Sequence, residues 1–277
     1  QSDYDTGTGV DFNWTKATTT PEVMPTGDDI TNMSTGSYDP NLVFYYTFDD
    51  MNADLNILDS TNNHIDCGAI GADVSAKGLW GTSAGYFDNV AGGDENADFF
   101  ICQNNSRFDF DAMATQFTVM FWYYVPELSG QGGNVSSLIS MMDSSSETKT
   151  GWSIRVTDTG SGTTVLNFIF SKSNSGAQPF VLAQTAVAPG QWMHAALTYN
   201  GENAVSGNPP PYPRITPDSN FYINGMYIGP LGELVGFTAP LTVTGAPFNI
   251  GRENSFNFFG SESNKTLRYI DDIKYYD

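Results

Sequence analysis

The chain has few cysteines, histidines and positive charges, and each scarcity argues against a class of function. Only 2 Cys and 2 His occur in 277 residues, and their spacing matches no zinc-binding motif. Asp and Glu number 31 against 11 Lys and Arg, so a net charge of −20 disfavours nucleic acid and anionic lipid as partners. No apolar run reaches the roughly 18 residues of a membrane-spanning helix. We therefore expect no nucleic-acid partner and no membrane insertion.

The two cysteines permit one disulfide. A bond between Cys67 and Cys102 would close a loop of about 35 residues and contribute on the order of 3 to 4 kcal/mol in an oxidising compartment. Two buried free thiols are the alternative. The residue Gln1 in place of an initiator Met predicts removal of a secretory signal, a cloning boundary being the other explanation. Sequons that permit N-glycosylation lie at Asn13, Asn32, Asn104, Asn134 and Asn264.

Short segments rich in β-branched and aromatic residues recur from residue 41 onward, separated by Gly, Pro, Asn, Asp and Ser. No window of about twelve residues shows the apolar period of an amphipathic helix. Strands without helices must cover each other, so residues 41–277 are predicted to form an all-β sandwich or jelly roll. The predicted strands are residues 42–48, 84–88, 117–125, 135–142, 151–157, 164–171, 179–185, 191–199, 219–228, 247–251 and 267–276.

Individual residues in this pattern have specific predicted roles. Asn224-Gly225, between apolar strand residues, predicts a type I′ hairpin turn. We interpret Trp122 and Trp192 as core aromatics because both lie within strand-like alternation. Candidates for stacking on sugars, with packing as the alternative role, are Trp80, Tyr212 and Tyr227.

Residues 1–40 differ from the rest of the chain. They are rich in Thr, Ser, Gly and Asp and have no pattern of apolar residues that would form a core. We predict an extended N-terminal arm that docks either on its own domain or on a neighbouring copy. In the second case the arm would add a strand to the neighbour's sheet edge, with Phe12 and Trp14 as anchors.

Eight short phrases follow one another in a collinear order along residues 41–277. They are Leu42–Asp49 (LVFYYTFD), Leu58–His64 (LDSTNNH), Gly78–Asn89 (GLWGTSAGYFDN), Phe117–Pro126 (FTVMFWYYVP), Gly190–Gly201 (GQWMHAALTYNG), Phe221–Gly229 (FYINGMYIG), Phe248–Ser255 (centred on NIGR) and Tyr269–Tyr276 (YIDDIKYY). Their order and spacing resemble the laminin-G-like, concanavalin-A-like jelly-roll superfamily. The resemblance implies a two-sheet antiparallel jelly roll.

The resemblance also implies a calcium ion that ties the first strand to the last. Asp271 in YIDDIKYY matches a ligand of the family, and Asp49 and Asp59 match the N-terminal ligands more loosely. Loop carboxylates are suitable ligands for a hard cation. The alternative for each is an acidic residue in a surface turn.

Two patterns raise the possibility of catalysis. Gly81–Gly85 reads G-x-S-x-G, but a strand-like segment follows Ser83 where the nucleophile elbow requires a helix. The resemblance includes family 16 glycosidases, which carry Glu-x-Asp-x-x-Glu on one strand, and none of the 8 Glu residues begins such a pattern. We therefore predict no catalytic residue.

These observations favour a secreted, non-catalytic extracellular module, supported by calcium, for binding glycans or glycoproteins or for adhesion. One alternative is a structural protomer of an extracellular filament, sheath or virion surface, assembled from copies of the chain through the N-terminal arm. A second alternative is an atypical glycoside hydrolase.

Overall fold

The computed structural model divides the chain into two units, Gln1–Pro40 and Asn41–Asp277, and the fold below is that of the second. The predicted arm anchors Phe12 and Trp14, all five sequons and Tyr212 lie outside the described residues. The structure describes residues 39–52, 56–75, 77–87, 98–102, 105–111, 115–125, 135–142, 150–159, 163–171, 180–201, 205–207, 214–216, 220–230, 234–235, 242–252 and 269–277.

Sheet 1 is an eight-stranded antiparallel sheet. Its strands are β1 (Leu42–Tyr46), β4 (Asp73–Ser75), β5 (Ala84–Tyr86), β8 (Gln116–Tyr124), β13 (Trp192–Asn200), β16 (Asn220–Ile223), β17 (Met226–Pro230) and β21 (Tyr269–Tyr276). The order across the sheet is β17-β16-β13-β8-β21-β5-β4, and β1 also pairs with β21. The first and last strands of this unit are therefore neighbours.

Sheet 2 also has eight strands, in the order β12-β11-β10-β9-β20-β6-β3-β2. They are β2 (Asn56–Ile57), β3 (Cys67–Ile70), β6 (Phe99–Cys102), β9 (Val135–Met142), β10 (Gly151–Asp158), β11 (Thr164–Ser171), β12 (Phe180–Val187) and β20 (Phe248–Ile250). Two smaller sheets are also present among the described residues. One has the three strands β14 (Val205–Gly207), β15 (Arg214–Thr216) and β18 (Leu234–Val235), and the other pairs β7 (Phe110–Asp111) with β19 (Thr242–Val243).

The core lies between the two large sheets and is rich in aromatic rings. Phe117 of sheet 1 stacks on Trp152 of sheet 2 with ring centroids 4.9 Å apart. Phe44 and Phe248 meet across the same interface at 4.9 Å. Each fully buried side chain of this size contributes about 1.5 to 3 kcal/mol. The predicted all-β, two-sheet antiparallel sandwich is therefore confirmed.

Local features follow the sequence closely. Asn224 and Gly225 have φ of 50° and 75° and connect β16 to β17, as a type I′ turn requires. Cys67 and Cys102 lie opposite each other on β3 and β6 and form a disulfide. The one helical element among the described residues is a single 3-10 turn, Ser106–Phe108. No helix in the described part of the chain is long and apolar enough to cross a membrane.

Candidate functional site

The outward face of sheet 1 is rich in aromatic residues. On β8 the residues Phe117, Val119, Phe121 and Tyr123 are buried, and the residues between them are only partly buried. Alternation along a strand therefore places Trp122 and Tyr124 on the side away from the core. On β13, Met193 is buried and Trp192 is partly buried. The sequence-based assignment of Trp122 and Trp192 to the core is wrong, because both occupy the outward phase of their strands.

Four of these aromatic residues lie in one row across four neighbouring strands. Tyr86 is opposite Tyr269, Tyr269 is opposite Tyr124, and Tyr124 is opposite Trp192. Tyr86 stacks on Tyr269 with ring centroids 5.3 Å apart. Tyr124, Trp192 and Tyr269 form a triangle with centroid distances of 5.7, 6.0 and 6.1 Å and rings inclined to one another. We call these four residues the aromatic cup.

The aromatic cup surrounds a depression of about 370 Å³ that is open to solvent. The described residues that line it are the four aromatic residues and Lys77. The Lys77 Nζ lies 5.7 Å from the centroid of the Tyr269 ring. A concave apolar surface with one or two polar groups is the usual form of a small-ligand site. The cup can therefore pack against the apolar face of a ligand while Lys77 and the tyrosine hydroxyls supply polar contacts.

A second aromatic group lies next to the cup on the same face. Trp80 packs edge-on against Trp122 with ring centroids 6.1 Å apart, and Trp122 lies 5.1 Å from the His194 ring. Trp80 is 37% exposed. Of the residues predicted to stack on sugars, Trp80 thus extends this aromatic face, whereas Tyr227 lies on the β16–β17 hairpin and is 56% exposed.

Two carboxylates hold the loop that carries Trp80, residues 78–83. The Oδ1 atom of Asp49 accepts the backbone N–H groups of Thr82 and Ser83 at 2.7 and 2.9 Å. The Oδ2 atom of Asp271 accepts those of Leu79 and Trp80 at 2.8 and 3.2 Å. Four backbone donors of one short loop are therefore satisfied by two acidic side chains from β21 and the segment after β1.

Gly81 is required in this loop for two reasons. Its φ of +70° lies in the left-handed region, and a Cβ at this position would overlap the Asp49 carboxylate. Ser83, the residue that matches a nucleophile elbow, precedes strand β5 and donates its backbone N–H to Asp49. The motif is therefore explained by the fold of the loop.

Burial shifts the ionisation of two groups on this face. Desolvation raises the pKa of Asp271 to about 7, although the N–H groups of Trp80 and Leu79 act in the opposite direction. Desolvation lowers the pKa of His194 to about 4. Asp271 is opposite Trp122 on β8, and Trp122 is opposite His194 on β13. A buried carboxyl group that is readily protonated and a neutral imidazole therefore flank the Trp122 ring.

Asp59 has hydrogen-bond partners different from those of Asp49 and Asp271. Its Oδ1 accepts the N–H groups of Tyr45 and Thr61, and its Oδ2 accepts the Thr61 hydroxyl and the Ile65 N–H, at 2.7 to 3.1 Å. These four bonds pin the turn after β2 to strand β1. The part of the chain that the structure describes contains no cluster of three metal-ligating side chains. The structure thus brings Asp49 and Asp271 to one loop and leaves Asp59 in a different turn.

Sequence reasoning missed the aromatic cup, although β13 carried a signal for it. Trp192 is in phase with His194, Thr198 and Asn200, and that polar phase marks the outward side of the strand. In β8 the signal is weaker: Gln116 and Thr118 share the phase of Trp122 and Tyr124, but Phe121–Tyr124 are aromatic on both faces. Only the pairing of the strands brings Tyr86 and Tyr269 to the same place.

Several solved structures resemble this fold. The binding domain of Paraclostridial Mosquitocidal Protein 1 has a TM-score of 0.55 and 20% identity, and the match covers 85% of this chain and 48% of that chain. The botulinum neurotoxin serotype G binding domain has a TM-score of 0.53 and 14% identity, and the match covers 85% of this chain and 47% of that chain. A structure of botulinum neurotoxin type C, a toxin whose cell entry depends on interaction with two ganglioside molecules, is also similar. It has a TM-score of 0.52 and 14% identity, and the match covers 85% of this chain and 47% of that chain. The chain thus spans about half the length of these domains.

The search of curated proteins found no match to the chain. A family model described as the concanavalin A-like lectin/glucanases superfamily matches residues 101–277. This range begins on β6 and includes β8, β13 and β21, which carry three of the four aromatic cup residues. The chain is therefore a member of the laminin-G-like branch of the concanavalin A-like lectin/glucanase superfamily.

Proposed function

We propose that this protein is a non-catalytic extracellular module that binds a glycan or glycoprotein through the aromatic cup. The observation that carries the proposal is the in-register row of Tyr86, Tyr269, Tyr124 and Trp192 around an open cavity. Tyrosine and tryptophan combine a large apolar face with a polar edge, which suits the C–H face and hydroxyl groups of a sugar ring. Such residues are also the usual energetic centres of binding surfaces.

Three further observations support this proposal. The cup is lined by aromatic residues and Lys77, whereas a glycosidase needs a pair of carboxyl groups at its cleft. The disulfide between β3 and β6 is suited to an oxidising compartment outside the cytosol. Structural neighbours that share the fold are toxin binding domains, one of which depends on ganglioside for cell entry. A binding role outside the cell is consistent with all of these observations.

Glycan-array binding followed by titration calorimetry tests the proposal. The wild-type chain should bind at least one glycan class, and Trp192→Ala should weaken that binding about tenfold or more, because truncating a central aromatic residue costs about 2 kcal/mol. Tyr227→Ala is the matched control, since it removes an exposed aromatic residue outside the cup. Absence of any glycan or glycoprotein ligand at millimolar concentration, or equal loss in both variants, would overturn the proposal.

We also propose that calcium supports this module at the loop of residues 78–83. Asp49 and Asp271 supply carboxylate oxygens there, and the Asp49 Oδ2 atom makes no hydrogen bond to a described residue. Calcium takes 6 to 8 oxygen ligands, so backbone carbonyls and water would complete the set. A bound cation would hold both carboxylates ionised and fix the Trp80 loop on the aromatic face.

Thermal unfolding with added calcium tests this second proposal. A ligand at 100 times its Kd adds about 2.7 kcal/mol to the folded state, so calcium should raise the Tm saturably and EDTA should reverse the rise. Asp49→Asn should abolish the response, whereas the exposed neighbour Asp50→Asn should retain it. A Tm that neither calcium nor EDTA changes would exclude calcium support.

A further inference from the structure

Among the residues that the structure describes, Lys77 is the one charged side chain that lines the aromatic cup. Its position follows from the turn that precedes the Trp80 loop, since the Lys77 N–H donates to the Ser75 carbonyl at 2.7 Å. The following Gly78 packs so tightly on the Ser83 backbone that a Cβ would overlap it. The chain therefore directs this lysine toward Tyr269, where the ammonium lies 5.7 Å from the ring centroid.

The surroundings of Lys77 differ from those of Arg107 and Lys274, two described basic residues that are paired with carboxylates. Arg107 forms a salt bridge with Asp277 at 2.6 Å, and Lys274 forms one with Asp272 at 3.3 Å. Lys77 makes no salt bridge with a described residue, although acidic residues outnumber basic ones 31 to 11 in the chain. Its ammonium is exposed and retains donors for a ligand that occupies the cup.

From this geometry we infer that the aromatic cup selects glycans that carry an anionic group on the sugar in contact with the cup. This inference rests on the proposed glycan-binding function and adds the ligand class. The apolar face of the sugar would pack on Tyr269, Tyr124 and Trp192, and its carboxylate or sulfate would accept hydrogen bonds from the Lys77 ammonium. Charge-assisted bonds of this kind are about twice as strong as neutral ones.

The net negative charge of the chain and the positive charge of Lys77 have opposite effects on the binding of an anionic glycan. The net charge of −20 repels anions at long range, but salt screens that repulsion beyond about 8 Å at physiological ionic strength. A contact between Lys77 and a bound anion is shorter than this length and is screened much less. An aromatic cup alone would also attract a cationic ligand. The Lys77 ammonium already lies over one ring and so repels a second cation there.

Matched pairs of glycans test the inference by titration calorimetry on the full chain. The pairs are a sialylated oligosaccharide and its desialylated form, a uronic-acid oligosaccharide and its carboxyl-reduced form, and a sulfated oligosaccharide and its desulfated form. We expect the anionic member of at least one pair to bind about tenfold tighter or more, the ratio that corresponds to about 1.4 kcal/mol. Which pair shows the difference distinguishes carboxylate from sulfate.

Two variants of Lys77 complete the experiment. Lys77→Gln should remove the difference in affinity between the anionic glycan and its neutral partner, whereas Lys77→Arg should retain the preference. Equal affinities within every pair, or an anion preference that survives in Lys77→Gln, would overturn this inference while leaving glycan binding intact. Tighter binding of a quaternary ammonium compound than of any anionic glycan would also overturn it. Failure of every glycan to bind would instead refute the proposed function itself.

Discussion

Replacing Asp59 by Asn tests whether this residue organises a turn or binds a metal. The carboxylate is 7% exposed and accepts four hydrogen bonds, from Tyr45, Ile65 and twice from Thr61. An Asn side chain keeps one acceptor oxygen and places an N–H₂ group where the second oxygen was. The Thr61 hydroxyl can rotate to accept from that group, but the Ile65 N–H cannot.

The expected loss combines two effects. One charge-assisted hydrogen bond is lost, and one buried N–H is left without a partner, which together cost about 3 kcal/mol in the free energy of unfolding. In a domain of this size that corresponds to a fall in Tm of about 6 to 12 °C. Because the effect arises from protein hydrogen bonds, it should be the same in excess EDTA and in excess calcium.

Urea and thermal unfolding of the wild-type chain and Asp59→Asn, each with EDTA and with calcium, measure this effect. Asp50→Asn is the control, since Asp50 is exposed and next to the same turn, and it should change the stability by less than about 0.5 kcal/mol. A loss of stability in Asp59→Asn that appears only with calcium would refute the structural role and make Asp59 a metal ligand.

Two further predictions concern pH and buried hydroxyl groups. The pKa of Asp271 is raised by burial to about 7, so the folded state retains a proton that the unfolded chain releases. In calcium-free buffer this group therefore lowers the free energy of unfolding by about 4 kcal/mol as pH rises from about 4 to 7. The pKa of His194 is lowered by burial to about 4, so this group adds about 3 kcal/mol as pH rises from about 4 to 6.5. Urea unfolding across this range should show stability rising with pH in Asp271→Asn and falling in His194→Gln; parallel profiles would contradict these assignments. The buried Tyr123 hydroxyl has no hydrogen-bond partner among the described residues, whereas the Tyr46 hydroxyl donates to the Ile65 carbonyl. Tyr123→Phe should therefore be neutral or stabilising, whereas Tyr46→Phe should lower the free energy of unfolding by about 1 kcal/mol. A larger loss of stability in Tyr123→Phe than in Tyr46→Phe would contradict the packing described.

The sequence predicted the sandwich because its strand signals are local. Alternation and turn residues mark each long strand, and Asn224-Gly225 has the geometry that its residue types require. The short strands that escaped prediction are β2, β3, β4, β6, β7, β14, β15, β18 and β19, since two to four residues seldom carry a recognisable pattern. Their positions depend on pairing with distant strands.

The candidate site was harder to predict because it depends on strand order. Tyr86 and Tyr269 are far apart in sequence and meet only because β5 pairs with β21. Asp49 and Asp271 were selected through a family resemblance, and the structure shows that both carboxylates hydrogen-bond to one loop, residues 78–83. The resemblance alone did not separate them from Asp59, whose four hydrogen bonds become visible only in the folded turn.

The central place of β21 in sheet 1 has a consequence for synthesis of the protein. This strand pairs with β1, β5 and β8, so the sheet cannot close until residues 269–276 have left the ribosome. A nascent chain that has already produced β1 must wait for more than two hundred further residues before that strand finds its partner. Pairings of such long sequence separation form slowly. The nascent polypeptide therefore stays open to chaperones, or to an export channel, until β21 has been synthesised.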